Sequence, residues 1–586
     1  MKQDDQMDKI RHSLSHLMSM AIMELYPKTG LGVGPFIENG FYQDYDLPES
    51  ISSEIFPKLE KRIKQFIKQG IKFEQHAMNF NDALKLYQGD PYKTELIEDL
   101  KKAGEKDVSF YKSDWFENLC KGPHVKSTQE INADAFKLTK IAGAYWRGNE
   151  KNKMLTRIYG VAFAAKKELD DYLTMMAEAE KRDHRKLGKE MELFVFSDLV
   201  GSGMPLYTPK GAFVRNQIIA LSNELQSKIG YEEVHTPQVN KADLFKISGH
   251  YDKFKNDMLM VKSHYSDEEY FLKPMNCPQH TQLYAAQKRS YRDLPIRFSD
   301  TANLFRDEKP GELSGLTRLR CFCQDDSHCF CREDQIETEF KQLLAAVKQA
   351  LAIYGLDYFV RLSLWDPEQK EKYLGDENIW QKSQQKLEQL LIDNEIKFEK
   401  AEGEAAFYGP KMDIMVKDAL KRQWQISTIQ LDLNMPNRFG LSYTDADGQK
   451  KTPVMIHKAI VGSPERFLGI LIEHYAGNFP LWLSPIQIKI LSVGEVHLEF
   501  CQQLAEKFKA KNLRVATDLS DESVGKKIRN AAKEKIPYTL VIGDKEMNSD
   551  KLLVRIRGQE DLWPVPFTEF IAIVKKLMDA RSAKLQ

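Results

Sequence analysis

No stretch of this chain is apolar enough to span a bilayer: no hydrophobic run approaches the roughly 20 residues that a membrane helix needs. The opening MKQDDQMDKIRHS is polar and mixed in charge, and no apolar signal-peptide core follows it. Cysteine is scarce, seven in 586 residues. That is too few for a disulfide framework and points to a reducing, cytoplasmic setting. Neither sign of charge is in excess, because 85 basic residues balance 85 acidic ones. A nucleic-acid partner would therefore be met by local patches and not by the field of the whole chain. Internal repeats and low-complexity tracts are also missing. The remaining composition is that of an ordinary globular protein, long enough for roughly two to four domains of about 150 residues each.

The first helix is expected from about Asp8 to Leu25, with Ile10, Leu14, Leu17, Met18, Ala21 and Leu25 in one apolar stripe. His12 and His16, spaced i,i+4, then fall on the opposite face, where two solvated histidines are the plainer expectation. The segment Cys120-Lys-Gly-Pro-His124 adds a cysteine and a histidine four residues apart in a tight turn. Three histidines and a cysteine could bind a metal, or hydrolyse an ester through an activated water; spacing does not decide between these. Leu31–Asp46 reads as a Gly-punctuated strand pair, Ser53–Lys68 as a charged helix, and Lys166–Glu192 as a long solvated linker helix. Further on, Gly211–Pro237 reads as a helix followed by a strand ending in proline. Lys273–Pro278 reads as a strand end, Asp334–Tyr354 as a helix, and Phe407–Asp413 and Trp424–Leu433 as strands. From Leu483 onward, apolar runs alternate with helices, the pattern of a compact α/β unit with a mainly parallel sheet.

The centre of the chain is Leu304–Cys331, LFRDEKPGELSGLTRLRCFCQDDSHCFC. Two alternating runs flank a Gly- and Pro-containing loop, as in two antiparallel strands. At period two, Arg318, Arg320, Phe322, Gln324, Asp326 and His328 share one face of the return strand, and Arg306 and Glu308 lie on the first. A face so polar is a site and not a core. Cys321, Cys323, Cys329 and Cys331 could suggest a four-cysteine metal centre. They occupy the opposite face, however, and the expectation is dry packing at the back of the sheet.

These residues resemble the signature motifs of class II aminoacyl-tRNA synthetases. Gly211–Pro237 resembles the first motif, the Arg306–His328 region the second, and Gly462-Ser-Pro-Glu-Arg466 the third, in the family's order. Asn276-Cys277-Pro278, Gln324–His328, Tyr408-Gly-Pro, Thr428–Asp432 and His457-Lys-Ala-Ile refine the resemblance to the threonyl-tRNA synthetase family. The H-x-x-x-H and C-x-G-P-H segments resemble the editing domain of its bacterial members, which is shared with alanyl enzymes. The implied fold class is α+β and multidomain. An α/β editing domain with its linker helix occupies 1–185. A class II catalytic domain built on an antiparallel sheet spans 186–483, and an α/β anticodon-binding domain spans 484–586.

The resemblance implies threonine–tRNA ligation: ATP-dependent activation of threonine, transfer to tRNA(Thr), and editing of seryl-tRNA(Thr). Zinc, one per subunit, is expected on Cys277, His328 and His457, whose separations fit no zinc-finger spacing, and magnesium is expected with ATP. Arg306 and Arg466 are the expected catalytic groups. Arg306, Glu308, Arg318, Phe322, Gln425, Thr428 and Arg466 are expected to hold ATP, and Gln324, Asp326 and Tyr408 threonine. Within the ATP set, Arg306 is expected on the α-phosphate, Arg318 on the outer phosphates, Glu308 on the adenine amino group, and Arg466 and Phe322 on either side of the base. Serine keeps the amino and hydroxyl groups of threonine and is one methyl smaller. A second, hydrolytic site at His12, His16, Cys120 and His124 is the physical remedy. Glu546 and Arg555 are expected at the anticodon, with Lys526, Lys527 and Arg529 suited to phosphates. A homodimer follows from the first motif. Two departures stand out: Asn118 where the family often has Asp, and a start without the small ubiquitin-like domain that many members carry.

Overall fold

The computed structural model describes residues 2–149, 151–418 and 421–586. The chain forms two compact units, Met1–Ala177 and Glu178–Gln586.

In the first unit the helices Lys2–Leu25 and Phe56–Gln69 pack on an antiparallel sheet. Its strands run in the order Gly30–Leu31, Gly40–Asp46, Met154–Ala162, Phe136–Tyr145, with Phe36–Ile37 also on Gly40–Asp46. Phe56, Leu59, Ile63, Phe66 and Ile67 are buried along one stripe of the second helix. Gly70, with φ of 69°, ends that helix in the left-handed conformation. The first helix departs from expectation. Leu14, Leu17, Met18 and Ala21 are in the core as expected, but His16 is also buried, at 2% exposure. The helix is covered on both sides, because the segment carrying Cys120 and His124 packs over its second face. A second sheet joins Glu74–Met78, Val108–Ser113 and Phe116–Leu119.

The second unit is built on an eight-stranded sheet. The order is Glu232–Glu233, Ile296–Ser299, Ser327–Cys331, Val454–Ala459, Gln423–Asp432, Lys411–Lys417, Phe359–Leu364, Phe398–Glu402. Only the two outermost pairs are parallel. Alternation separates its faces. Cys329, Cys331, Ile429, Leu431 and Ile456 join Leu221, Phe340, Val347 and Phe467 in one core. That core includes residues of the helices Pro209–Lys228, Ile336–Tyr354 and Pro464–His474. Phe330 and Met455, one residue out of phase, belong to a different cluster with Cys277 and Tyr408.

Three local expectations change. The return run of the central segment is two strands and not one. Cys321–Asp325 pairs with Thr301–Phe305 as a separate ribbon, and Ser327–Cys331 then enters the main sheet. Arg318 and Arg320 precede the strand, so period two does not govern them; Arg320 turns to the Glu308 carbonyl at 2.9 Å and away from the site. Cys277 does not end a strand but opens the helix Cys277–Ala285. The linker reading of Lys166–Glu192 also fails in part. The helix breaks at Asp183, whose side chain caps the next one, and there His184, Leu187 and Met191 are buried.

The C-terminal part has its own core of Ile488, Ile490, Phe508, Tyr538, Val554 and Phe570. Its sheet order is Val515–Asp518, Ile488–Ser492, Tyr538–Ile542, Lys551–Ile556, Leu562–Pro566. Two pairings are parallel and two antiparallel, so the sheet is mixed where a mainly parallel one was expected. No helix fits in the short turn at Gly558, so the last two strands form a hairpin, and parallel pairing would need a crossover.

Candidate functional site

A cleft of about 380 Å³ opens on the polar face of the large sheet. Arg306, Glu308, Arg318, Phe322, Gln324, Asp326, Tyr408, Gln425, Thr428, Arg466, Cys277 and His457 all line it. These residues arrive from distant parts of the chain. Two buried carboxylates hold the pieces together. Glu465 accepts from Arg215 Nε at 2.8 Å, from the Cys323 N–H at 2.9 Å and from Ser463 Oγ at 2.9 Å. Asp325 accepts from Ser222 Oγ at 2.5 Å and from the Ile460 and Val461 N–H groups, each at 2.9 Å. The helix Pro209–Lys228, the ribbon and the helix Pro464–His474 are thereby joined.

One end of the cleft is cationic. Arg306 is half-buried with its Nε enclosed and unpartnered, and its guanidinium lies 5.1 Å from the Phe322 ring and 5.8 Å from that of Phe254. Burial lowers its pKa, and Glu308 offsets part of that. Arg466 donates to the Thr317 carbonyl at 3.0 Å and to the Gln425 carbonyl at 3.4 Å. Burial first, then repulsion from Arg306 and Arg318, brings its pKa down to about 10. Arg318 is held by Glu308 at 2.8 Å and Glu312 at 2.7 Å. Three mutually repelling guanidiniums, one with an orphaned donor, suit a polyanion.

The other end holds the sulfur and imidazole groups. The ligand atoms of Cys277, His328 and His457 lie within 4.8 Å of one another. His328 Nε2 faces His457 Nδ1 at 3.0 Å. The outward nitrogens are engaged elsewhere: His457 Nε2 meets Asp432 Oδ2 at 2.9 Å, and His328 Nδ1 meets His280 Nδ1 at 2.7 Å. Two ring nitrogens turned inward with a thiol, and outer nitrogens held by a carboxylate and a second histidine, form a donor set that fits a metal ion. Burial raises the Cys277 thiol pKa well above its usual value. Tyr408 stacks on His457 at 4.5 Å and donates to Gln430 at 2.8 Å. Asp326 accepts the Asn276 N–H at 2.7 Å and lies 3.7 Å from His328. Thr428 donates to Asp413 at 3.0 Å.

Several residues here had no sequence signal. His250 is buried 3.8 Å from Cys277 Sγ, its Nδ1 2.8 Å from Ser248 Oγ, and burial pushes its pKa down to about 3. Asp432 and Glu465 belong to motifs and His280 lies two residues past one, but none was singled out, because a second contact layer has no spacing rule of its own. Of the four cysteines of the central segment, the two in the main sheet, Cys329 and Cys331, and Cys323 of the ribbon fit the dry-packing expectation, and Cys321 fits it in part. Cys323, Cys329 and Cys331 are buried, Cys321 is half-buried, and none joins a metal-capable cluster among the described residues.

The first unit brings His12, His16, Cys120 and His124 together, again within 4.8 Å. Cys120 Sγ is 3.4 Å from His12 Nε2 and 3.3 Å from His124 Nε2. His12 Nδ1 faces the Pro123 carbonyl at 3.2 Å, so Nδ1 carries the proton and Nε2 presents its lone pair to the sulfur. Burial, then neighbouring histidines, holds the His16 imidazole neutral, and its Nδ1 has no partner. Burial pushes His124 down to about 2 and raises the Cys120 thiol. Neutral imidazoles beside a protonated thiol suit proton transfer with water, and the same donors suit a metal. Lys93, which no motif flagged, is buried here and donates to the Gly32 carbonyl at 3.1 Å; burial lowers its pKa to about 8. Asn118 is buried with its Oδ1 unpartnered.

In the C-terminal part, Glu546 accepts the Gly543 N–H at 3.0 Å, and the buried Arg555 Nε has no partner. Lys527 corrects an expectation. It is buried, donating to the Ser492 carbonyl at 2.8 Å and to Ser492 Oγ at 3.0 Å, so it is not free for phosphate.

Comparison with known proteins agrees along the chain. Residues 259–475 match the tRNA synthetase class II core domain (G, H, P, S and T). Residues 487–577 match an anticodon binding domain, and 108–159 the threonyl and alanyl tRNA synthetase second additional domain. The chain is 46% identical over 565 residues to the threonine–tRNA ligase of Cytophaga hutchinsonii, covering 96% of this chain and 87% of that one. The Thermus thermophilus threonine–tRNA ligase is 43% identical over 577 residues, with 96% and 87% covered. Among solved structures, the RNA binding domain of threonyl-tRNA synthetase from Cryptosporidium parvum superposes with a TM-score of 0.63 at 35% identity, covering 69% of this chain and 99% of that one. The chain belongs to the threonine–tRNA ligase family of class II aminoacyl-tRNA synthetases.

Proposed function

We propose that this protein ligates threonine to tRNA(Thr) at the cost of ATP and clears seryl-tRNA(Thr) at a separate hydrolytic site. The observation that carries the reading is one cleft with an arginine-lined end beside a Cys/His/His cluster. In the first step a carboxylate oxygen of threonine attacks the α-phosphorus and pyrophosphate leaves. In the second a terminal hydroxyl of the tRNA attacks the carbonyl carbon of the adenylate and AMP leaves. Arg306 and Arg466 offset the charge that develops at the α-phosphate, which such a transfer needs more than acid–base groups. Arg318 takes the outer phosphates, Phe322 and Arg466 sandwich the base, Glu308 reads its amino group, and Gln425 and Thr428 line the nucleotide site. Magnesium accompanies ATP.

Cys277, His328 and His457 would hold zinc, which would supply Lewis-acid recognition of the amino and hydroxyl groups of threonine. Asp326 accepts the hydroxyl hydrogen, with Gln324 and Tyr408 around it. Valine leaves those groups unpaired and is rejected by roughly 10⁴–10⁵, whereas serine is disfavoured by only about 10–200. Editing removes the serine product: water adds to the ester carbonyl, its proton passes to His12 Nε2 and from there to the tRNA oxygen, which leaves as a hydroxyl as free serine is released. His16, Cys120 and His124 shape that pocket.

Domain limits of 1–185, 186–483 and 484–586 fit this division of work, with Glu546 and Arg555 at the anticodon. Val195, Phe196, Leu199, Val200 and Leu206 are exposed on one segment before the helix Pro209–Lys228, which supports pairing of two copies. A cytoplasmic location suits the free thiols. The test is amino-acid-dependent pyrophosphate exchange with threonine, serine and valine, followed by tRNA charging. Threonine and serine should support exchange and valine should not. Threonine activation that survives removal of zinc by chelation would refute the metal role.

A further inference from the structure

Among the buried residues that the reaction scheme leaves unused is His184. It opens the short helix His184–Glu190 and is 3% exposed. Its Nδ1 lies 2.7 Å from Glu473 Oε1, and its own backbone N–H donates to the same oxygen at 3.3 Å. Its Nε2 accepts the Leu316 N–H at 3.0 Å. Because the backbone amide can only donate, Nε2 holds a lone pair and Nδ1 carries the proton toward Glu473. Asp183, His184 and Glu473 have the ligand types of a metal site. Both histidine nitrogens are already committed, so the cluster is a hydrogen-bond relay and no ion site.

The relay ends on the cleft wall. Leu316, Thr317 and Arg318 line the cleft, and Arg466 donates to the Thr317 carbonyl at 3.0 Å. Arg466 and Glu473 belong to one helix, Pro464–His474. That helix therefore grips the turn twice, directly at the Thr317 carbonyl and through His184 at the Leu316 N–H. The approach is close: a Cβ on Gly315, where φ is 49°, would come within 2.2 Å of His184 Nε2. The Cγ and Cδ2 atoms of the ring are also packed, since a Cβ on Gly469 of the same helix would lie 3.5 Å from Cδ2 and 3.6 Å from Cγ.

We propose that His184 is a positioning residue for ATP: it fixes the Leu316–Arg318 turn so that Arg318 and Arg466 meet the nucleotide. The inference rests on the cleft being the ATP site. Two substitutions separate the roles of its nitrogens. In His184→Gln the amide oxygen reaches the Nε2 position and can still accept from Leu316. In His184→Asn the side chain reaches only the Nδ1 position, toward Glu473, and the Leu316 N–H is left unpaired. Pyrophosphate exchange on the full chain, with ATP and threonine varied in turn, reads the difference. His184→Asn should raise the KM for ATP about tenfold, the scale of one unmade hydrogen bond to a buried backbone donor. The KM for threonine should stay the same, and His184→Gln should stay near the unsubstituted protein. The inference is overturned if both variants keep the original KM for ATP, if both substrates weaken equally, or if both variants fail to fold, which would make His184 a stability residue. Absence of threonine-dependent exchange in the unsubstituted chain would remove the ligase reading itself, and this inference with it.

Discussion

Asp432→Asn tests the metal cluster without touching a ligand. Asp432 is wholly buried. Its Oδ1 accepts the Asn434 N–H at 2.7 Å and the Met435 N–H at 2.9 Å, and its Oδ2 meets His457 Nε2 at 2.9 Å. The carboxylate is acceptor-only, so His457 carries its proton on Nε2 and turns a bare Nδ1 toward His328 and the cluster. Asparagine has the same shape and one oxygen fewer. Its amide can turn either way. With the NH₂ toward the two backbone donors, two buried N–H groups go unpaired, at about 2–6 kcal/mol in all if each costs about 1–3 kcal/mol. With the oxygen kept there, the NH₂ points at His457 Nε2, which must become an acceptor. The imidazole proton then moves to Nδ1 and blocks the atom that would bind metal. The second arrangement wins on hydrogen bonding, and loss of such an outer partner lowers metal affinity by about 10–100-fold, or roughly 1.4–2.8 kcal/mol. The assay is zinc retained per subunit after dialysis against graded chelator, measured by elemental analysis beside a melting curve. If Asp432→Asn melts normally and holds zinc as tightly as the unsubstituted protein, His457 does not present Nδ1 to a metal, and the cluster has been misassigned.

Other outcomes follow from the first unit. His12→Ala/His16→Ala should slow seryl-tRNA deacylation by about 10²–10⁴, the usual scale of a lost general base, and leave threonine-dependent exchange unchanged; full deacylation in that double variant would sink the editing assignment. Lys93 gives a pH-dependent stability prediction. Burial lowers its pKa from 10.5 to about 8. Below pH 8 the lysine is charged in both folded and unfolded chains, and the folded state bears the full burial cost. Between about 8 and 10.5 the unfolded chain holds the extra proton, so stability rises with pH and the cost fades. Lys93→Met should therefore stabilise the protein at pH 7 by an order-of-magnitude 3 kcal/mol and do so much less at pH 10. Melting curves at the two pH values check this, and an equal shift at both would show that the ammonium carries no burial cost.

Much of the fold was legible because its elements obey local rules. The apolar stripe of the first helix, the helix ended by Gly70 and the strand Gln423–Asp432 all follow periodicity or capping, whereas the strand expected at Phe407–Asp413 lies at Lys411–Lys417, after a turn at Phe407 and Tyr408. Legibility failed where packing overrides period. His16 looked solvated because a single helix has only one core face in sequence; a second covering segment gave it another. Arg320 shared the parity of Arg318 and Phe322, but parity orders side chains only inside a strand, and Arg320 precedes one. Lys527 looked like surface charge because sequence reports the ammonium and not the Ser492 oxygens that receive it.

By itself, the sequence determined the inventory of chemistry: which arginines, thiols and imidazoles exist, their order along the chain, and the α+β class to which their motifs belong. Those properties follow from covalent order and near-neighbour sterics. Only the tertiary structure decided which atoms of those residues face one another. Tautomers at His12, His184 and His457 are set by a carbonyl, an amide and a carboxylate distant in sequence. The same is true of the orphaned Arg306 donor and of the joining of the helix Pro209–Lys228 to the ribbon through Glu465. The physical reason is that a buried polar group must find its partner wherever close packing leaves one, and packing is a property of the whole chain.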